Sequence, residues 1–201
     1  MDERGCDTEE HSASPMKRAF DITFSSIALV LLCIPMIITA ILVKLTSHGP
    51  ILYWSDRIGK GNAIFKMPKF RTMWTNTPPI ATHLLKYPRA YVTPVGKFLR
   101  KSSLDELPQL CSVVKGDMSL VGPRPALFNQ EDLIKLRTEK GIHVLTPGVT
   151  GWAQINGRDE LPIPIKVEFD EYYLQHRSFG FDARILVRTL LNVIRRKGIT
   201  H

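Results

Sequence analysis

An uncharged stretch near the start of the chain constrains its fold more than any other feature. No charged residue occurs in residues 22–43, and a helix of that length covers a bilayer core of about 30 Å. Basic residues flank both ends, at Lys17, Arg18 and Lys44, whereas a spanning helix normally concentrates positive charge on one side. Pro35 lies inside the stretch, where it removes a backbone hydrogen bond and kinks a helix.

Three arrangements of this stretch are open: a re-entrant helix-break-helix, a plain transmembrane span, and a buried core helix. The matching charges at the two ends favour the re-entrant form, which enters and leaves by one face. We expect Ser25, Ser26 or Thr39 to satisfy the carbonyl freed by the proline. A cleaved signal peptide is not expected, because no small-residue cleavage site follows the stretch.

The charge distribution indicates an anionic partner. The chain of 201 residues has a formal net charge of +8, and residues 1–15 contain five acids and one base, which leaves +12 on the remainder. A basic body of this kind suits nucleic acid, anionic lipid or a phosphorylated substrate. Cys6, Cys33 and Cys111 show no disulfide framework or metal spacing, which is typical of a reducing compartment, and the six histidines form no metal-ligand pair.

The overall pattern predicts a mixed α/β chain, mainly helical, in three parts. These are a disordered acidic tail over residues 1–15, the membrane helix-break-helix over 16–46, and a small domain over 47–201. Within that domain we expect a short β-hairpin formed by residues 51–54 and 63–67. The other expected elements are a loop at 74–94, helices at 95–115 (broken near Ser102), 126–140, 165–178 and 182–197, and irregular turns at 116–125 and 146–157.

The last of these helices combines an apolar stripe with basic residues. Such an amphipathic helix can lie in a membrane interface. The alternative is a helix that packs its stripe on the core and leaves its basic face in water, and the pattern alone does not separate the two.

Two adjacent carboxylates, Asp105 and Glu106, lie in a basic stretch and are followed by Pro108. Neighbours on a regular helix do not share a face, so they converge on one ligand only at a turn or helix start. Proline is tolerated in a first turn, which predicts Asp105 at an N-cap. Ser103 with Glu106 also fits a capping box, so capping alone remains an alternative to phosphate and metal binding.

Two further side chains are candidates for ligand contact. Arg124 lies between Pro123 and Pro125, so its backbone has little freedom and its guanidinium suits a phosphate. Trp152, in a Gly-rich run, offers a flat ring to a base or sugar. An exposed turn arginine and a core tryptophan are the corresponding structural alternatives.

Five runs in the sequence together resemble the bacterial sugar transferase family, the small monotopic polyprenyl-phosphate phosphoglycosyl transferases. The runs are KRAFD at 17–21, KFRTM at 69–73, LRKSSLDELPQL at 99–110, KGDMSLVGPRP at 115–125 and PGVTGWAQINGR at 147–158. The resemblance covers residues 16–198 and is specific, because long motifs occur in order with similar spacing.

The resemblance implies transfer of sugar-1-phosphate from a UDP-sugar to polyprenyl phosphate, with UMP as the second product. It implies a kinked re-entrant helix and interfacial helices at the cytoplasmic face of the bacterial cell membrane. Membrane lipid is then a partner, downstream glycosyltransferases are possible partners, and nucleic acid is not expected. Asp105 is implied as the covalent nucleophile, with Glu106 as its partner at Mg²⁺ or as activator of the acceptor phosphate. The implied substrate-binding residues are Lys69, Arg71, Arg100, Pro123, Arg124, Pro125, Gln154 and Arg158.

The sequence departs from the family pattern at three places. Cys33-Ile34-Pro35 replaces the usual Ser-Pro at the kink, Pro68 replaces a tyrosine, and Thr146 replaces an arginine. Two rival functions are a non-catalytic module that binds anionic lipid or nucleic acid, and a membrane-bound phosphodiester hydrolase. Neither the sugar nor the oligomeric state follows from the sequence.

Overall fold

The computed structural model describes residues 14–78, 88–157 and 161–194. These residues form a mainly helical α/β structure, as predicted. The helices are α1 Pro15–Leu31, α2 Cys33–Thr46, α3 Pro94–Ser102, α4 Gln109–Lys115, α5 Glu131–Glu139, α6 Trp152–Asn156, α7 Ile163–His176 and α8 Phe179–Ile194. The strands are β1 Leu52–Ile58, β2 Ile64–Phe70, β3 Ser119–Val121 and β4 Gly148–Thr150. The predicted disordered tail falls almost wholly outside the described residues.

The uncharged stretch breaks at Leu32, where α1 and α2 meet at an angle of 61°. Pro35 lies in the first turn of α2 and has no amide hydrogen to donate to the carbonyl of Leu31. In a straight helix its ring would also clash with that carbonyl. The proline therefore bends the helix one turn before itself. The expected polar compensation is not seen at Ser25, whose buried hydroxyl has no hydrogen-bond partner among the described residues.

The outer faces of α1 and α2 remain uncovered by protein. Val30, Leu31 and Leu45 are more than 70% exposed, which excludes the buried core helix, one of the three alternatives left open by the sequence. Among the described residues, no individual helix has the length and apolar character needed to cross a bilayer, but the bent pair together meets both criteria. A broken span and a re-entrant hairpin both fit that geometry.

The predicted β-hairpin is confirmed and is longer than expected. β1 and β2 pair antiparallel from Leu52 opposite Phe70 to Ile58 opposite Ile64. Gly61 adopts a left-handed conformation (φ 64°) in the connecting turn, which glycine reaches without strain. Phe70 packs with Val43 of α2 and Leu99 of α3 in a shared apolar cluster, so the hairpin joins the apolar helices to the rest of the domain.

The sequence analysis missed a parallel pair, β3 with β4. Ser119 lies opposite Gly148, and Val121 lies opposite Thr150. Three-residue strands in Gly-rich runs carry no alternating pattern, which is why both ranges were predicted to be irregular. The pairing depends on glycine because a Cβ at Gly148 would lie 2.1 Å from the backbone nitrogen of Gly122.

The main core surrounds this parallel pair. Val121, Leu133, Val167 and Ile185, from β3, α5, α7 and α8, lie in one buried cluster. The helix predicted over 126–140 is confirmed only from Glu131, because the chain before it is a loop that follows the turn at 122–125. The break predicted near Ser102 is confirmed between α3 and α4.

Candidate active site

The two adjacent carboxylates occupy a single 3-10 turn, Leu104–Glu106, between α3 and α4. The predicted N-cap role of Asp105 is wrong, because α4 begins at Gln109 and Pro108 precedes it in helical conformation. The predicted capping box is also absent: Ser103 adopts a left-handed conformation and its side chain makes no cap bond. The tight turn nevertheless brings both carboxylates to one site, as the functional alternative requires.

Glu106 binds two cations through one oxygen. Lys69 Nζ lies 2.7 Å and Arg124 Nη2 lies 2.8 Å from Glu106 Oε1. All three side chains are less than 30% exposed. Three remote parts of the chain, at β2, the 3-10 turn and the Pro-Arg-Pro turn, therefore meet in one ion-pair cluster.

The two cations keep Glu106 ionised. Burial alone would raise the pKa of Glu106, but the charges and hydrogen bonds of Arg124 and Lys69 outweigh burial and hold that pKa well below its usual range. Burial also lowers the pKa of Lys69, and Arg124 adds to that effect, while Glu106 opposes it. The cluster is thus a charged site whose members depend on one another.

Asp105 is 7% exposed and shares one of these cations, Lys69. Its carboxylate interacts electrostatically with both Lys69 and Arg100. Arg100 is held by a hydrogen bond from its Nε to Thr72 Oγ1 at 2.9 Å, and Arg57 adds a further positive charge close to Lys69. Among the described residues, these four cations outnumber the two carboxylates, so the site favours an additional anion such as a diphosphate.

The Pro-Arg-Pro turn is fixed by hydrogen bonds to each of its carbonyls. The Pro123 carbonyl accepts from the Gly148 amide at 2.9 Å. The Arg124 carbonyl accepts from Arg137 Nη1 at 2.8 Å, and the Pro125 carbonyl accepts from Arg57 Nη1 at 3.1 Å. These bonds and the two prolines preorganise the backbone that carries the Arg124 guanidinium.

Arg71, another predicted site residue, makes a different contact. Arg71 is buried and donates to the Ser47 carbonyl and hydroxyl (2.8 and 2.7 Å) after the end of α2, so it joins the hairpin to the apolar helices. Gln154 has both amide atoms buried without a hydrogen-bond partner among the described residues. Arg158 lies outside the described residues.

Trp152 packs as a core tryptophan. It packs against the main core, and its ring lies 5.8 Å from Tyr172 and 4.9 Å from Phe181. The Arg188 guanidinium lies 5.7 Å from the ring centroid, a cation–π distance. This surrounding set of rings explains the position of Trp152 without a ligand.

The sequence analysis missed a second buried ion pair, between Arg137 and Asp170. Arg137 donates from Nε and Nη2 to Asp170 Oδ2, at 3.0 and 2.6 Å. The two residues are on different helices, α5 and α7, and no local spacing relates them. Arg57 was missed for the same reason, because its partner Pro125 lies 68 positions away.

A divalent cation fits the site only together with an anionic ligand. The donor chemistry is suitable, since Mg²⁺ binds one or two carboxylates and substrate phosphates. Among the described residues no group of three or more acidic, histidine or cysteine side chains could hold a metal, and Glu106 already accepts from two cations. Asp105 and Glu106 are therefore candidate ligands for a metal that arrives with a diphosphate.

Comparison with known proteins finds a matching family and several relatives. The model of the bacterial sugar transferase family matches residues 12–196. The chain is 40% identical over 186 residues to an uncharacterized sugar transferase, EpsL, of Bacillus subtilis, with 92% of this chain and 90% of that protein covered. It is 38% identical over 184 residues to the UDP-N-acetylgalactosamine-undecaprenyl-phosphate N-acetylgalactosaminephosphotransferase of Aeromonas hydrophila.

The shared part differs in extent between these relatives. The match covers 89% of this chain but 44% of the Aeromonas protein. The undecaprenyl-phosphate galactose phosphotransferase of Salmonella typhimurium is 34% identical over 207 residues, with 94% of this chain and 42% of that protein covered. The prediction of a transferase is confirmed by the family match, and the chain belongs to the bacterial sugar transferase family.

Proposed function

We propose that the chain transfers sugar-1-phosphate from a UDP-sugar to a polyprenyl phosphate, undecaprenyl phosphate in particular. The observation that carries this proposal is the meeting of Asp105 and Glu106 with the cations Lys69 and Arg124 on a rigid turn. Relatives named as undecaprenyl-phosphate sugar phosphotransferases support the same reaction. The product lipid would begin the assembly of a surface glycan or glycoconjugate.

The reaction has two displacement steps. An Asp105 carboxylate oxygen attacks the phosphorus bonded to the sugar, the bond from that phosphorus to the bridging oxygen breaks, and UMP leaves with the bridging oxygen. The acyl phospho-sugar then reacts with an oxygen of the polyprenyl phosphate. A new phosphorus–oxygen bond forms, the bond to Asp105 breaks, and the carboxylate is regenerated with polyprenyl-diphosphate sugar as product.

The surrounding side chains stabilise the charge that the phosphoryl group carries. Arg124 and Lys69 can shift from Glu106 toward the diphosphate oxygens, and Arg100 neutralises charge beside Asp105. Once substrate binding has placed them there, these cations stabilise the phosphoryl-transfer transition state without further reorganisation at the moment of reaction. Mg²⁺, when held by Asp105 and Glu106 with the diphosphate, supplies further neutralisation of that charge.

The bent helix pair suits a reaction at a membrane surface. Its exposed apolar faces would enter the lipid, while Lys17 and Lys44 at the two ends match entry and exit by one side. The proposed location is the cytoplasmic face of the bacterial cell membrane, where a nucleotide sugar and a polyprenyl phosphate can both reach the site. The lipid product would pass to downstream glycosyltransferases.

The test is UMP release by the purified protein in lipid nanodiscs, screened against a panel of UDP-sugars. We expect one UMP per enzyme before any polyprenyl phosphate is added, and continued turnover after its addition. D105N should form no phospho-sugar adduct by intact mass. D56N serves as the matched control, because Asp56 forms only an exposed pair with Lys66, and it should react as the wild type does.

Other outcomes would identify a rival. Adduct formation by D105N would refute the nucleophile. Release of free sugar phosphate without an acceptor would indicate a hydrolase. Lipid binding that is indifferent to Mg²⁺, with no UMP from any UDP-sugar, would indicate a non-catalytic module.

A further inference from the structure

The first two turns of α1 are hydrogen-bonded to the elements on either side of the candidate site. Arg18 donates from Nη1 and Nη2 to the carbonyls of Val113 and Val114, at 2.5 and 2.7 Å. These carbonyls lie at the end of α4, the short helix that follows Asp105 and Glu106. Arg18 thus caps α4 from another helix, where unsatisfied carbonyls favour a cation.

Asp21 makes the corresponding contact with β3. Its Oδ2 accepts from Ser119 Oγ at 2.7 Å, and its Oδ1 accepts from the Leu120 amide at 3.1 Å. The strand continues directly into the turn that carries Arg124. Lys17 adds a bond to the Val121 carbonyl at 3.2 Å, so three side chains of one helix hold this region.

These contacts do not fit a role in lipid binding alone. Asp21 is 3% exposed, on a helix whose other faces expose apolar side chains. A buried carboxylate is costly unless it is hydrogen-bonded, and both oxygens of Asp21 bond β3. The Arg18 guanidinium donates to protein carbonyls, whereas a residue that binds a lipid headgroup must present its donors to the membrane surface.

We propose that Asp21 and Arg18 are positioning residues, which hold the Asp105–Glu106 turn and the Arg124 turn at the separation that the reaction requires. The apolar helix is then a structural part of the active site in addition to its contact with lipid. This inference rests on the proposed function and assigns a role to the 17–21 motif within it.

The first experiment varies Asp21 at constant size. D21L removes both acceptors, D21N keeps an acceptor for the Leu120 amide, and T23V changes an exposed position on the same helix. In nanodiscs, with the UDP-sugar used by the wild type, we expect kcat for UMP formation to fall about 100-fold in D21L. D21N should have a kcat much closer to that of the wild type than D21L has, and T23V should match the wild type. In each variant KM should change much less than kcat.

A second comparison separates positioning from headgroup binding. R18M and K44M each remove one basic residue flanking the apolar stretch, and Lys44 is exposed. Positioning predicts that only R18M lowers kcat while both variants remain bound to liposomes of phosphatidylethanolamine and phosphatidylglycerol. Equal losses in the two variants would overturn the proposal in favour of lipid attachment.

Hydrogen exchange gives a readout that does not depend on the reaction. D21L should speed exchange in residues 109–122 and leave α5 and α7 unchanged, and T23V should change neither. Unchanged exchange in residues 109–122, or equal acceleration in α5 and α7, would overturn the positioning role. If the wild type releases no UMP from any UDP-sugar, the proposed reaction fails. The exchange result still tests whether Asp21 holds residues 109–122 in place.

Discussion

Glu106 and Asp170 are both carboxylates bound to arginine, yet they differ in exposure and in the number of cations that bind them. The Asp170 side chain is 2% exposed and is bound by Arg137. The Glu106 side chain is 23% exposed and binds two cations, Lys69 and Arg124. Burial raises the pKa of Asp170 in spite of Arg137, whereas the two cations hold the pKa of Glu106 well below its usual range.

The difference separates a structural ion pair from a ligand site. The Arg137–Asp170 pair is sealed from water, so it gives a ligand no access and serves to join α5 to α7. The cluster at Glu106 has more cations than carboxylates and is partly open, so an anion can enter and share the cations. Its access to solvent makes the cluster at Glu106 the candidate reactive site, in contrast to the sealed pair at Asp170.

The largest expected effect is on activity at Glu106. In E106Q the two cations lose the charge that orients them, and the acceptor phosphate loses its proposed activating group. We expect steady-state turnover with UDP-sugar and polyprenyl phosphate to fall by about 10²–10⁴-fold, measured as polyprenyl-diphosphate sugar formed per enzyme, with the fold retained by circular dichroism. Activity within threefold of the wild type would make Glu106 a structural residue like Asp170.

The next effect is on stability at Asp170. D170L leaves the buried Arg137 guanidinium without the acceptor of its Nε and Nη2 donors, which should lower the free energy of unfolding by about 3–5 kcal/mol. Chemical denaturation in detergent measures this value. The double variant D170L/R137M removes both partners and should recover much of the loss, so a double variant less stable than D170L would contradict the comparison.

The smallest effect is the opposite pH dependence of the two carboxylates. The folded pKa of Glu106 is below its ordinary 4.5, so its stabilisation is complete above that pH and is lost as pH falls through the folded value. The folded pKa of Asp170 is above its ordinary 3.8. Its contribution to the free energy of unfolding therefore increases as the pH falls from the folded pKa toward 3.8. Unfolding curves from pH 6 to pH 3 should fall less steeply for E106Q than for the wild type.

An E106Q chain as acid-sensitive as the wild type would contradict this assignment. The free energy of unfolding of D170N should fall more steeply than that of the wild type between pH 6 and pH 3. The reason is that D170N lacks a stabilising contribution that increases on acidification.

The predictions from sequence held where the signal was local. Pro35 predicted a break in the apolar helix, and the hairpin and the interruption after α3 followed from turn residues. The N-cap at Asp105 was wrong because Glu106 is drawn to Lys69 and Arg124, two partners 37 and 18 positions away. The β3–β4 pair was not predicted because it depends on the close approach of the backbones at Gly122 and Gly148. Such short, Gly-containing strands have no alternating apolar pattern in the sequence.

The sequence by itself determined the apolar stretch, its proline break, the adjacent carboxylates and an arginine fixed between prolines. Each of these depends on neighbouring residues and their covalent geometry. Only the tertiary structure decided which cations meet Glu106, that Arg71 lies at the end of α2 instead, and that Asp21 and Arg18 join α1 to the site. Ion pairs and hydrogen bonds between distant residues depend on how the elements pack, which no local spacing encodes.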